Sequence, residues 1–330
     1  MSDRPSVLQI AQLGVEGTAG VAATATRRLR SMTQTLEADA NVDELRASGY
    51  KVVTMTALNE EWTTSTWEGE PDFNEIVYPL NGVLKNVAGT VAGTAGGGTA
   101  YSWLFEIDSD GIDTPATYTL QRGDANHANE ATRLTGQELE LSVSRSDAAL
   151  SAGFIGQRLE SATLGTTAAF VSDRQRPMLP GLWKVYLDDS AASLGSTKLT
   201  RMFNATVSIG GRNEPIWTVD ADEESWAASI EGETDLGITL QVGADAQGTA
   251  LLNTLRLGDT KFVRLEALGG TIAGTHIYTN RVDAAVQVIS APSEDDADGV
   301  TAWEWELRIV HDDTWGKSLS WYVKNAIGSL

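Results

Sequence analysis

Two pairs of glutamates have the carboxylate spacing closest to acid–base chemistry in this chain. Glu138 and Glu140 lie in the segment GQELELSVS, and Glu304 and Glu306 lie in AWEWELRIV. Each pair is two residues apart in a strand-like segment, so both carboxylates of a pair point to one face of a strand. Glycosidases need two carboxyls about 5–10 Å apart that flank one bond. Neighbours on one strand face do not flank a bond, and the pair occurs twice, which favours a repeated acidic surface over an active site.

The other candidate groups give little support to catalysis or metal binding. His127, His276 and His311 have no His or carboxylate partner at metal-ligand spacing on a helix, and the chain has neither an HExxH nor a GxSxG motif. The run EDDADG at 294–299 approaches a calcium loop, but its twelfth position is Trp305, where a bidentate Glu is required. We therefore expect no enzyme, no cofactor and no metal, and we interpret 294–299 as an acidic hairpin loop.

The ten tryptophans include two that lie on the last of these strands. Trp303, Trp305, Leu307 and Ile309 alternate with polar residues and form one apolar stripe. A buried core is the favoured interpretation of this stripe. A subunit contact and a platform for carbohydrate remain alternatives, because aromatic faces of β proteins serve both purposes.

The elements that position these residues are mainly strands. YKVVTMTAL from Tyr50 and WTTSTW from Trp62 predict two paired strands around a polar turn at 59–61. PDFNEIVYPL at 71–80 predicts a short helix that Pro79 ends near Tyr78. NVAGTVAGTAGGGTA at 86–100 holds five glycines and almost no large side chains, which predicts a flexible loop.

The second half of the chain repeats this order of elements. Two prolines and a glycine in RPMLPG at 176–181 mark the best candidate for a domain boundary. On both sides we expect strand, strand, short helix, strand, strand and a final hairpin, with AQGTALLNTLRLG as the second helix and with RSDAALSAG and APSEDDADG as the two hairpin loops. The sequence therefore predicts a mainly β fold with an arm at 1–30 and two tandem β-sandwich or barrel domains at 31–180 and 181–330, each with a short flanking helix.

Composition narrows the class of protein further. The 330 residues carry a formal net charge of −21, and 42% of them are hydrophobic, which is enough for a core in each half. The charge divides evenly, because residues 1–180 have 13 Lys and Arg against 23 Asp and Glu, and residues 181–330 have 11 against 22. Such a surface disfavours binding to phosphate backbones. The absence of cysteine excludes a disulfide scaffold and thiol catalysis, and without a signal peptide or an apolar span we expect folding in the cytoplasm and no membrane.

Several segments together resemble one protein family. Near the N-terminus these are IAQ at 10–12, GTAG at 17–20 and RRL at 27–29, and further along they are RASGY at 46–50, YSWLF at 101–105, VYLD at 185–188, DGV at 298–300 with the two tryptophans that follow, and YVKN at 322–325. They span nearly the whole chain and are diffuse structural motifs without a catalytic signature. In these segments the chain resembles the major tail tube protein of long-tailed bacteriophages. Its length and termini look more like those of the non-contractile, siphovirus-like class, with a contractile tail that carries a sheath as the alternative.

The resemblance implies a β-sandwich whose strands join those of neighbouring copies into a barrel around a DNA channel. With two fused tube domains, three copies form one pseudo-hexameric ring, and a homohexamer is the alternative. The implied partners are the tape measure protein inside the channel, the tail terminator and distal tail proteins at the ends, and genomic DNA that passes without specific binding. The expected location is the virion tail, assembled in the host cytoplasm.

The resemblance also suggests roles for particular residues. Glu138, Glu140, Glu304 and Glu306 become candidates for an acidic channel wall along which DNA slides. The Gly-, Ala- and Thr-rich arm becomes a contact between rings that orders by lying on another surface, with Val7, Ile10, Val15, Val21, Arg27 and Arg28 as its candidate residues. The main alternative function is a carbohydrate-binding or glycoside-processing β-sandwich, and a third is an outer virion or secreted adhesion protein.

Overall fold

The chain folds mainly into strands, as the sequence predicts. The computed structural model describes residues 9–95, 98–124, 126–165, 168–171, 174–219, 225–297 and 299–330. It is 57% strand and 8% helical, and the helical part comprises two α-helices and two short 3-10 turns. Neither of these two helices is long and apolar enough to cross a membrane.

The first half contains β1 (Ile10–Val15), β2 (Arg27–Arg28), β3 (Met32–Gln34), β4 (Glu37–Leu45), β5 (Met55–Gly69), α1 (Val77–Val83), β6 (Lys85–Ala95), β7 (Gly98–Glu106), β8 (Tyr118–Gly123), β9 (Ala128–Ser144), β10 (Ala148–Gly156), β11 (Glu160–Ala162) and β12 (Ala169–Phe170). The second half contains β13 (Trp183–Asp188), β14 (Met202–Gly210), β15 (Asn213–Ile216), β16 (Ala228–Glu231), β17 (Asp235–Gly243), α2 (Ala246–Leu257), β18 (Lys261–Ala273), β19 (His276–Val288), β20 (Ser293–Ala297), β21 (Val300–Ile309) and β22 (Leu319–Asn325).

Three sheets and one separate two-stranded sheet, β15–β16, make up the fold. Sheet 1 has the order β4-β5-β10-β9-β14-β17-β21-β20, all antiparallel, and β3 continues the β4 side along β5. Sheet 2 has the order β13-β18-β19-β22-β7-β6, also antiparallel. Sheet 3 has the order β12-β2-β1-β8-β9-β11 and shares the long strand β9 with sheet 1. β19 also pairs with β21, which joins sheet 2 to sheet 1. The buried faces of sheets 1 to 3 contribute to one apolar core.

Sheet 1 repeats one order of strands. In the first half, β4 and β5 precede α1 and the β6–β7 hairpin, and β10 then returns from the β9–β10 hairpin to pair with β5. In the second half, β14 and β17 precede α2 and the β18–β19 hairpin, and β21 returns from the β20–β21 hairpin to pair with β17. Strand pairs cross residue 180 at β9–β14 and β7–β22. The division into two domains at that residue stays a prediction.

Three sequence-based assignments of strands were wrong. The predicted turn at 59–61 lies inside the single strand β5, whose partner is β4, and a bulge beside Asn41 absorbs the polar residues. RSDAALSAG is mostly strand β10, so the loop between β9 and β10 is only three residues long. The acidic segment read as a hairpin loop contains β20, which pairs with β21. In each case hydrogen bonding to a neighbouring strand overrides the local polarity.

The glycine-rich stretch forms strands instead of a flexible loop. Its described residues belong to β6 and β7, which form an antiparallel pair, and residues 96 and 97 lie outside the described residues. A Cβ on Gly89 would lie 2.7 Å from the ring of Trp103, and a Cβ on Gly93 would overlap the ring of His276. The glycines are therefore positions where large side chains of neighbouring strands approach the backbone. From the sequence alone, the same glycines predict a flexible segment.

The two helices differ in how well they were predicted. The helix predicted around 71–80 does not end near Tyr78, because α1 runs to Val83 with Pro79 in its first turn, where no intrahelical N–H bond is lost. Residues 71–84 are all buried, so this segment is a core element. α2 matches the predicted second helix, and Gly258 follows it at φ +70°.

The arm packs on its own chain. β1 pairs with β8 over six residues, Leu13 is buried, and the carboxylate of Glu16 accepts hydrogen bonds from Thr117 and Thr119. The first half of sheet 3 is thus built from the segment that the sequence interprets as a separate arm. Its role between rings stays a prediction.

Candidate functional site

The predicted glutamate pairs lie on one continuous face of sheet 1. Along β9, Leu139, Leu141 and Val143 are buried, whereas Glu138 and Glu140 are exposed. On β21 the apolar stripe from Trp303 to Ile309 faces the core, as predicted, and the intervening residues face the other way. Alternation along each strand therefore separates an apolar face from a polar one.

Backbone register joins the two pairs into a single surface. One row of facing residues runs from Glu68 through Ser151, Glu140, Ser208 and Gly237 to Arg308. The next row runs from Ser142 through Thr206 and Thr239 to Glu306. A third row runs from Ser144 through Asn204 and Gln241 to Glu304. Between the carboxylates lie mainly small or neutral polar residues.

We call this exposed surface, from β5 to β21, the acidic face. Its carboxylates within these rows and at the adjoining ends of the strands are Glu68, Glu138, Glu140, Asp235, Glu304 and Glu306. Arg308 is the one base among the described residues of this face, and it forms an ion pair with Asp235. Six carboxylates against one base give a formal charge of −5.

The two predicted glutamate pairs lie well apart on the acidic face. Glu140 and Glu306 are separated by three strand spacings across the sheet, or about 14 Å, which is more than two catalytic carboxyls span. A depression on the face has a volume of about 250 Å³, with Glu138, Glu140 and Asp235 along it. Within the described part of the chain, no group of three His, Cys, Asp or Glu side chains is arranged to hold a metal ion.

The outward face of sheet 2 has the opposite balance of charge. Its bases are Lys85, Lys184, Arg264, Arg281 and Lys324, and its carboxylates are Glu106, Glu266 and Asp283. The carboxylate of Asp283 forms an ion pair with Arg264 at 2.6 Å and another with Arg281 at 3.2 Å. The acidic face therefore has a net negative formal charge, whereas the outward face of sheet 2 has more bases than carboxylates.

A buried ion network fixes the centre of sheet 1. Arg212 follows β14, is fully buried, and lies 2.7 Å from the buried carboxylate of Asp113 and 2.8 Å from Glu231. Its Nε also donates to the backbone carbonyl of Val83 at the end of α1. The network therefore holds the end of β14 against the first half of the chain, which stabilises the β9–β14 junction at the middle of the acidic face.

A long hairpin extends from one edge of sheet 1. All nine residues of β4 and most of the first six residues of β5 are exposed, and the pairs Val42–Leu58 and Leu45–Met55 present apolar side chains to solvent. β4 forms one edge of the sheet and β20 lies at the other, and within the described residues each pairs with a single strand. Beyond β20, the last residues of β21 pair with β19 of sheet 2. Sequence reasoning missed this hairpin, although the run of alternating acid and alanine in EADA was a signal for an exposed edge strand.

The remaining predicted residues are spread over the fold. Ile10 and Val15 are half-buried in β1, Val21 is exposed, and Arg27 and Arg28 form the short strand β2. Val7 lies outside the described residues.

The histidines do not converge on a common site. His311 is within hydrogen-bond distance of Ser109, and His276 packs beside β6. No family model matches the chain, and a search of curated proteins finds no match.

Proposed function

We propose that this protein is the structural subunit of a phage tail tube, in which rings of the chain stack into a hollow conduit lined by the acidic face. The observation that carries the proposal is the difference in charge between two sheet faces: the acidic face holds six carboxylates and one base, whereas the outward face of sheet 2 holds more bases than carboxylates. A broad, predominantly acidic sheet face suits the wall of a channel. It does not suit an active site, which requires a concave pocket with convergent groups.

The repeated order in sheet 1 supports closure into rings. The edge strand β20 occupies the place that β9 has in the first half, and the edge strand β4 occupies the place that β14 has in the second. Because β9 and β14 pair within the chain, β20 of one copy and β4 of the next copy can pair in the same way. Such a contact joins two different surfaces of neighbouring copies. It produces a closed ring when the rotation from one copy to the next divides a full turn. Two repeats per chain favour three chains per ring, with six chains as the alternative.

The acidic face accounts for how such a channel treats DNA. Each phosphate carries a negative charge, and a basic lining would bind DNA through release of counterions. A lining with a formal charge of −5 per chain repels the phosphates, so DNA passes without adhering. The tape measure protein would occupy the same channel during assembly, and the tail terminator and distal tail proteins would cap the ends. The setting is the virion tail, assembled in the host cytoplasm.

One observation favours the alternative of a carbohydrate-binding protein. Trp62 and Trp217 are both half-buried, and their ring centroids are 5.9 Å apart. Their planes are inclined at 73°, so they do not form the coplanar platform on which a sugar chain stacks. We therefore rank this function second.

Purified protein tests the proposal by negative-stain electron microscopy together with sedimentation velocity. We expect hollow tubes with a regular ring repeat, and a stable monomer that binds oligosaccharides would contradict the proposal. The variants Asp39→Pro and Ala40→Pro probe the edge of β4. Successive residues of a strand direct their N–H groups to opposite sides, so one variant removes an N–H that faces β5 and the other an N–H that faces the open edge. The variant that removes the N–H facing the open edge should fold normally and fail to close rings.

A further inference from the structure

A basic pocket lies beside β13, the edge strand of sheet 2, where β9 ends and β14 begins. Its volume is about 440 Å³, and its apolar walls include Val143, Trp183, Leu199 and Phe203. The bases along it are Arg145, Lys184, Lys198 and Arg201. We call this cavity the basic pocket.

The charge of the basic pocket is unusual for this chain. Four of the 24 bases line it, although the chain has 45 carboxylates, and none of the described lining residues is Asp or Glu. One of these bases, Arg201, forms an ion pair with Asp245 at 3.7 Å, and its side chain is still 64% exposed. A pocket with apolar walls and a cationic rim fits a ligand that is both apolar and anionic.

The projecting hairpin has the complementary character. Residues 37–60 contain five carboxylates and two bases, and four of the carboxylates lie on β4 itself. The side chains of Val42 and Leu58 face each other across the two strands and are 50% and 60% exposed. Contiguous apolar groups in solvent, flanked by charge, are typical of a surface that a partner covers.

The hairpin and the basic pocket lie at opposite ends of sheet 1. Gly69, at the end of β5, is level with Leu150 and Leu141, close to the β9–β10 turn that borders the pocket. Met55, where β5 leaves the hairpin turn, is 14 residues away along the strand, or about 46 Å. A hairpin therefore cannot reach the pocket of its own chain in this arrangement. A contact between two copies is head to tail and leaves a free hairpin and a free pocket at the two ends, so it propagates.

We propose that the basic pocket binds the β4–β5 hairpin of a second copy, with Val42 and Leu58 against its apolar walls and the β4 carboxylates against its bases. This inference rests on the proposed function, because it assigns the contact by which one ring stacks on the next. The ionic part of the contact makes stacking sensitive to salt, whereas ring closure through backbone hydrogen bonds is much less so.

Charge reversal with compensation tests the contact in the full chain. Arg145→Glu with Arg201→Glu should lower the fraction of protein that pellets as tubes at least tenfold at low salt. Adding Asp43→Lys with Glu44→Lys in the same chain reverses both surfaces and should restore pelleting to within twofold of the original protein. The matched control, Arg122→Glu with Arg256→Glu, makes the same change of net charge away from the pocket and should pellet normally. Circular dichroism verifies that each variant is folded.

The outcomes separate this inference from the proposed function. Single rings of the pocket variant that do not stack, together with rescue by the hairpin variant, support the contact. Normal tubes from the pocket variant overturn the contact and leave the proposed function intact. Folded variants that the hairpin reversal does not rescue also overturn it. If the unaltered protein forms neither rings nor tubes, both the proposed function and the contact are wrong.

Discussion

Reversing charge on the acidic face should convert a surface that excludes DNA into one that binds it. The change is Glu138→Lys, Glu140→Lys and Glu306→Lys, three exposed positions whose side chains point away from the core. The face then has three carboxylates and four bases, so its formal charge moves from −5 to +1. If the three lysines each contact one phosphate, the slope of log K against log salt is about −2.7, which weakens binding about 40-fold between 50 and 200 mM salt.

The assay is fluorescence anisotropy with a labelled DNA duplex, performed over that range of salt. The control variant carries Asp110→Lys, Glu214→Lys and Glu233→Lys, three exposed positions outside the acidic face, and has the same net charge. We expect salt-dependent binding by the face variant, weaker binding by the control and none by the original protein. Equal affinity of the two variants would refute the argument, because it would show that net charge matters and the arrangement on the face does not.

Three further predictions concern the scaffold that presents the face. Arg212→Ala leaves the buried carboxylate of Asp113 without its cation and should lower the free energy of unfolding by about 3–5 kcal/mol in urea titrations; a loss below 1 kcal/mol would contradict the role of the network. Trp305→Ala should cost about 3–5 kcal/mol in the same assay, since the ring is fully buried, whereas a near-neutral effect would mean that the stripe is not core. Burial raises the pKa of Asp72 above its usual 3.8, although hydrogen bonds from the backbone N–H groups of Arg176 and Asn74 oppose this shift. The folded state therefore binds the proton more tightly than the unfolded state, and the protein loses stability as the pH rises above 3.8. Asp72→Asn should therefore gain stability relative to the original protein on going from pH 4 to pH 7, and a difference independent of pH would count against this.

Local pattern predicted the parts of the fold in which burial follows sequence periodicity. The alternation in β9 placed Leu139 and Leu141 inside and Glu138 and Glu140 outside, and the apolar stripe on β21 is buried as expected. The second helix also follows its sequence pattern. In each case a single element carries its own amphipathic signal.

The remaining errors come from contacts between segments far apart in the chain. The glycines at 89 and 93 are read locally as flexible, yet the rings of Trp103 and His276 require them. The arm is too small to form a core, but β8 supplies a partner for β1. Likewise, β4 has no strong apolar pattern and is a strand only because β5 pairs with it. Pairing partners of this kind depend on register and topology, which local sequence does not specify.

The acidic face itself was only half visible in the sequence. The two glutamate pairs were identified as a repeated acidic surface, but Glu68 and Asp235 were missed because their positions depend on the register of β5 and β17. The opposing balance of charge on sheet 2 was hidden for the same reason. Net charge is a property of composition, whereas its segregation onto one face is a property of the fold.

The rotational symmetry of one ring, with the orientation of sheet 1 inside it, tests the central claim most directly. Electron cryomicroscopy of assembled protein should show three chains per ring, with β20 of each chain beside β4 of the next and with Glu138, Glu140, Glu304 and Glu306 facing the channel. A ring of six chains would retain the tube and overturn the closure by paired repeats. A ring that turns sheet 2 toward the channel, or a protein that remains monomeric at every concentration, would contradict the account.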